Sequence, residues 1–134
     1  MNTTFWLGFA AYLIPTFPLG YFWHLKIFKG AYDRLEIFRD DMIIPMGLTS
    51  MLIQAAVFSW MYPRLFSTAP DSWMVSAGKS LLVYGVLAWS FVVLPVAAKY
   101  RMASVAEFVK LETVFTLIQF LVVCPIMAFV YRGH

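Results

Sequence analysis

The stretch Met42–Tyr62, MIIPMGLTSMLIQAAVFSWMY, decides the fold class. It runs about 21 residues without a charge, enough for a helix to cross a hydrocarbon core of roughly 30 Å. The acidic pair Asp40 and Asp41 precedes it, and Trp60 and Tyr62 mark its far end, where amphipathic rings anchor a span at the headgroup level. Near its middle stands one polar side chain that hydrocarbon strongly disfavours, Gln54. The tripeptide Leu52-Ile53-Gln54 returns as Leu117-Ile118-Gln119 in another apolar stretch at a similar depth.

Composition extends this beyond one stretch. The chain has 134 residues, is 62% hydrophobic and 13% charged, with a mean hydropathy of +0.77. A soluble domain carries about 25% charged residues, so a water-soluble core is the wrong expectation. The length accommodates four crossings with short connections and no added soluble domain. The single cysteine, Cys124, cannot form an intrachain disulfide. The first apolar run lacks the basic n-region and small-residue cleavage site of a secretory signal, and is expected to remain as a span.

Four spans are expected, at about 5–25, 42–62, 73–98 and 108–131, forming a single all-α domain over 1–134. The first contains Pro15 and Pro18, each removing a backbone donor, which predicts a kink. Between the first two spans, Ile27, Ala31, Leu35 and Phe38 recur at helical spacing, opposite Lys29, Asp33, Glu36 and Asp40. That pattern predicts a short amphipathic helix at the membrane surface within Lys26–Asp41. Asp40 or Asp41 is expected to cap the second span. Pro63, Pro70 and the Asp71-Ser72 pair bracket the next connection, and Ser104-Val-Ala-Glu107 forms a capping box ahead of the fourth span. Close packing is expected at Gly47, Ala55, Ser76, Ser80 and Gly85.

The basic residues set the orientation. Lys26, Lys29, Arg34, Arg39, Lys99, Arg101 and Lys110 fall on one side, and Arg64, Lys79 and Arg132 on the other. The positive-inside rule then places the two basic connections in the cytoplasm and both termini outside. The net charge of +3 follows from this arrangement, so no nucleic-acid partner is inferred. A shift of 65 residues superposes Leu52-Ile53-Gln54 on Leu117-Ile118-Gln119, Gly20 on Gly85 and Arg34 on Lys99, as two tandem two-span units of like orientation would.

Polar groups at lipid depth are the candidate functional residues. Gln54 lies 13 residues beyond Asp41, and Gln119 lies 12 beyond Glu107. Both are therefore roughly 18–20 Å along helices that start at one surface. If the second and fourth spans touch, the amides can pair. Glu112, Thr116 and Gln119 share one helical face; Gly47, Ser50 and Gln54 share another. Both stripes are expected to point inward, as interhelical glue or as the lining of a cavity open to the cytoplasm. His24 ends the first span at the level of Glu112, where a His–Glu pair could relay protons or hold a cation. No His, Cys or acidic residues stand at metal or haem spacing, so no metal or cofactor is expected. No Ser-His-acid set or Gly-rich phosphate loop is present either.

The run Phe17-Pro-Leu-Gly-Tyr-Phe-Trp-His24, with Phe28, Tyr32-Asp-Arg-Leu35, Ile43-Ile-Pro-Met-Gly47, Ser50-Met-Leu-Ile-Gln54 and Tyr62-Pro-Arg64, resembles small bacterial four-span membrane proteins of unknown function. The likeness extends more weakly through Glu112–Gln119. It implies a four-helix membrane fold in a bacterial inner membrane and supplies no functional residues.

Three functions compete. The first is a non-catalytic membrane protein, structural or an accessory subunit, whose partners are the bilayer and a homo-oligomer or larger complex. The second is a small oligomeric transporter or binder of a polar or amphipathic ligand at a midplane polar site, with His24, Ser50, Gln54, Glu112, Thr116 and Gln119 as the candidate polar interior. The third is a membrane enzyme on a lipid-like substrate, with His24 and Glu112 as acid and base.

Overall fold

The computed structural model describes residues 2–134, whose regular elements are all helices joined by short loops. The Asn2 side chain accepts the Phe5 amide at 3.0 Å and caps α1, Thr3–Phe22. A single π-turn over Trp23–Ile27 prolongs α1 and hands over to the short helix α2, Lys29–Leu35. α3 runs Ile44–Leu65 and α4 Trp73–Ala88. A second π-turn, Trp89–Val93, joins α4 to α5, Leu94–Lys99. α6 spans Val105–Tyr131, its start fixed by the Ser104 hydroxyl accepting the Glu107 amide at 3.2 Å. Four of these segments are long and apolar enough to cross a membrane: Thr3–Ile27, Ile44–Leu65, Pro70–Lys99 and Val105–Tyr131.

Proline explains the second π-turn. Pro95 cannot donate to the carbonyl four residues back, and its ring crowds that carbonyl. Opening one turn to the wider i→i+5 spacing, with the Leu94 amide on Trp89 O, lets the helix continue past it. The two π-turns open on Trp23 and Trp89, 66 residues apart, one residue off the shift read from sequence.

The bundle order is α3–α1–α6–α4, with α1 packed along both α3 and α6, and α6 along α4. Direct contact between α3 and α6 is slight. Gly8 makes the α1 junction possible. A Cβ there would lie 2.6 Å from Ser59 Oγ and from the Tyr131 ring, so only hydrogen fits between those helices. Around it Ser59 Oγ donates to Phe5 O at 2.6 Å and the Tyr131 hydroxyl to Ser59 O at 2.7 Å. One core cluster, including Tyr12, Ala55, Tyr84, Phe120 and Met127, fills the middle and the end that carries both termini. There the Phe58 and Tyr84 rings stack at 4.4 Å and close α3 onto α4. A second cluster of Trp23, Tyr32, Leu35, Val93 and Phe108 fills the opposite, loop-bearing end.

Several sequence expectations need correction. The surface helix is only α2, because Glu36 adopts a left-handed conformation (φ 59°) and ends it. Its buried side chains are Tyr32 and Leu35, while Ile27 stays 68% exposed, turned outward ahead of α2. Asp41 does not cap α3; both its oxygens are taken by Arg39, and Ile43 occupies the cap position. The guanidinium holds the Asp41 carboxyl below its ordinary range. Pro63 does not begin the connection but sits in the last turn of α3. Ala55, Ser76 and Ser80 are buried packing residues, whereas Gly47 and Gly85 face open space.

Candidate functional site

The two glutamines do not pair. α1 stands between α3 and α6, and Tyr12, fully buried, reaches both amides. Its hydroxyl accepts from Gln119 Nε2 at 3.1 Å and donates to Gln54 Oε1 at 2.5 Å. Gln54 Nε2 in turn donates to Ser50 Oγ at 2.8 Å. The amides are therefore at matching heights, joined through a phenol on a third helix. The expected interior between the second and fourth spans is filled by that phenol. Thr116 is buried but takes no part; its hydroxyl donates back to Glu112 O at 2.7 Å.

Tyr12 was not among the residues expected at the site. Thr16, its i+4 neighbour, is the other hydroxyl in the middle of that span, and the spacing of two hydroxyls on one face was the available signal.

At the loop-bearing end the structure brings His24 and Glu112 together. The π-turn carries His24 inward, with Nδ1 2.9 Å from Gly20 O and Nε2 2.9 Å from Glu112 Oε1. A backbone carbonyl only accepts, so Nδ1 carries a proton. A second proton must then stand between Nε2 and Oε1, since a bare nitrogen lone pair facing a bare carboxylate would repel it. The couple is thus an imidazolium with a carboxylate, or a neutral ring with a carboxyl, and is net neutral in both.

Two aromatic residues complete this cluster. The Tyr32 hydroxyl donates to the same Glu112 oxygen and accepts the Trp23 indole N–H at 3.1 Å. Burial, and then the neighbouring carboxylate, push the Tyr32 phenol above its ordinary value of 10.0. Through these bonds α2 is fastened to α1 and α6. The Ala103 amide adds a bond to Leu35 O at 3.1 Å.

Beside this cluster lies a cleft of ≈ 840 Å³ between the second half of α1 and the first half of α3. None of residues 42–50, which form its α3 side, is buried against a neighbour; every one of them is exposed. Its walls are apolar, with Phe17, Met46, Met51 and Phe115 prominent, and the loop carrying Ile37–Ile43 covers its end. Four side chains with polar atoms line it: Tyr21, His24, Arg39 and Ser50. Of the six residues expected to form a site, His24 and Ser50 line this cleft. Glu112 backs His24, and Gln54 and Gln119 back Ser50.

A second cleft of ≈ 590 Å³ runs between α4 and α6, lined by Gly78, Gly85, Trp89, Thr113 and Thr116. Trp89 Nε1 donates to Thr113 Oγ1 there at 2.9 Å. A third of ≈ 490 Å³ lies at the end carrying the termini, near Asn2, Arg64 and His134. Among the described residues no three His, Cys, Asp or Glu side chains gather at metal-binding spacing. No protein-family model, no curated protein and no solved structure matches this chain.

Proposed function

We propose that the chain is a multi-pass integral membrane protein, non-catalytic, that holds an amphipathic small molecule in the cleft between its first and second spans. The observation that carries this is the cleft itself: ≈ 840 Å³ and lined almost wholly by apolar side chains. Its volume falls in the roughly 300–1,000 Å³ range of small-molecule sites. With the basic connections in the cytoplasm and the termini outside, as the positive-inside rule directs, the cleft opens in the cytoplasmic leaflet. The ligand site is thereby moved from the midplane glutamines to the level between Ser50 and His24.

The glutamines keep the structural role. Joined through Tyr12, they fix α3 and α6 to α1 and form the rigid wall behind the cleft. This favours a binder or accessory subunit over an enzyme. As acid or base, His24 would need Nε2 toward the substrate, and Nε2 faces Glu112.

The test is photolabelling of the full chain in detergent with a single-chain alkyl diazirine, followed by peptide mapping. Saturable labelling confined to residues 17–25 and 42–51 is expected. Labelling spread over all outward faces, without saturation, would overturn the proposal.

A further inference from the structure

The two charged side chains and the serine that meet the cleft, beside the Tyr21 phenol, differ in what they still offer a ligand. Arg39 already gives its Nε and one terminal nitrogen to the two oxygens of Asp41, at 3.0 and 3.1 Å. His24 is matched to Glu112. Both charged groups on the wall therefore sit in neutral pairs. A charged headgroup entering an apolar cleft would lose hydration and find no uncompensated partner.

Ser50 is different. The hydrogen bonds behind it all run one way: Gln119 donates to Tyr12, Tyr12 to Gln54, and Gln54 to Ser50 Oγ. Each donation polarises the next group and makes it a better donor. The chain ends on a hydroxyl that has accepted and whose own proton goes to no described residue. Its neighbour Thr49 behaves otherwise, returning its proton to Pro45 O at 2.8 Å. Ser50 is exposed and lines the cleft, so its proton is available to whatever sits there.

Building on the cleft proposed above, we infer that its occupant is an uncharged amphiphile whose headgroup carries a hydrogen-bond acceptor, an ester, ketone or quinone carbonyl, seated on the Ser50 hydroxyl. The apolar chain lies against Phe17, Met46 and Met51. The Ser50–Gln54–Tyr12–Gln119 series is then a single oriented donor delivered from the bundle interior to the cleft wall. His24 and Glu112 do not bind the ligand. They anchor α2 and shape the end of the cleft.

The experiment uses the full chain in detergent, labelled with an alkyl methyl ester bearing a chain diazirine. Unlabelled competitors of one chain length are added: the methyl ester, a methyl ketone, the alkane, the carboxylate and the primary amine. The ester and ketone should compete about fivefold better than the alkane, the factor expected of one hydrogen bond, and better than both charged members. Ser50→Ala, at an exposed helical position that tolerates alanine, should erase that advantage while cleft labelling persists. Equal competition by the alkane, preference for the carboxylate or amine, or an unchanged order in Ser50→Ala would each overturn the headgroup assignment and leave the cleft standing. Absence of saturable labelling in residues 17–25 and 42–51 would instead remove the cleft proposal itself, and this inference with it.

Discussion

His24 Nε2 and Glu112 Oε1 stand 2.9 Å apart across 88 residues of sequence, and the other ring nitrogen of His24 is held by the Gly20 carbonyl. The ring is thus held from both sides, by the Gly20 carbonyl at one nitrogen and by the Glu112 carboxyl at the other. Glu112→Ala should therefore cost about 2 kcal/mol in thermal unfolding of the detergent-solubilised chain, the scale of hydrogen bonds to a charged group. Glu112→Gln should recover part of this, since the amide N–H can donate to Nε2 and hold the ring in its neutral Nδ1–H form. Nitrogen NMR of the His24 ring checks the second point directly.

The Tyr12 bridge predicts a reversal of sign. Tyr12→Phe removes the only hydroxyl joining the two amides and should destabilise by about 1–2 kcal/mol, because buried polar atoms lose their partner. Adding Gln54→Leu and Gln119→Leu to that variant should restore stability, since no orphaned amide remains. Additive losses across the three substitutions, measured by unfolding in one detergent, would contradict the bridge.

Glycines separate by what surrounds them. Gly8→Ala forces a Cβ to within 2.6 Å of Ser59 and Tyr131, and the α1, α3 and α6 junction must spread. A loss of about 1–3 kcal/mol is expected. Gly78→Ala has nothing within 4 Å and should gain up to about 1 kcal/mol from helix propensity. Melting both variants side by side tests the packing at α1 against a substitution of the same chemistry.

Alkaline pH should loosen α2. Tyr32 holds its proton above the ordinary value of 10.0 in the folded chain, whereas an unfolded chain releases it at that value. The contribution of this phenol is therefore whole below pH 10 and falls as pH rises above it, where the unfolded state binds fewer protons. Phenolate absorbance of the wild type minus Tyr32→Phe should show no ionisation until past pH 10.

Much of the fold was legible because bilayer thickness sets span length and each span here is nearly charge-free. The Ser104 cap and the common level of His24 and Glu112 follow from local chemistry and rise per residue. What could not be read was the order of helices around the bundle. Spans that are apolar on every side carry no periodic face, so nothing in the sequence put α1 between α3 and α6 or selected Tyr12 as their link. The shortening of α2 turned on one backbone conformation at Glu36, and the cap expected of Asp41 was lost to Arg39, a nearer partner with two donors. Residues 42–50 all stay exposed along the cleft, a fact of tertiary geometry that an apolar pattern cannot express.

The most direct measurement fills the cleft. Gly47 lines it, and no other part of the fold comes within 4 Å of where its Cβ would stand, so Gly47→Trp adds a large ring at the cleft without disturbing a packed helix face. Saturable photolabelling of residues 17–25 by the alkyl diazirine should be abolished in Gly47→Trp, with the unfolding temperature unchanged. Labelling that persists at the wild-type level and with the wild-type saturation curve would contradict the account.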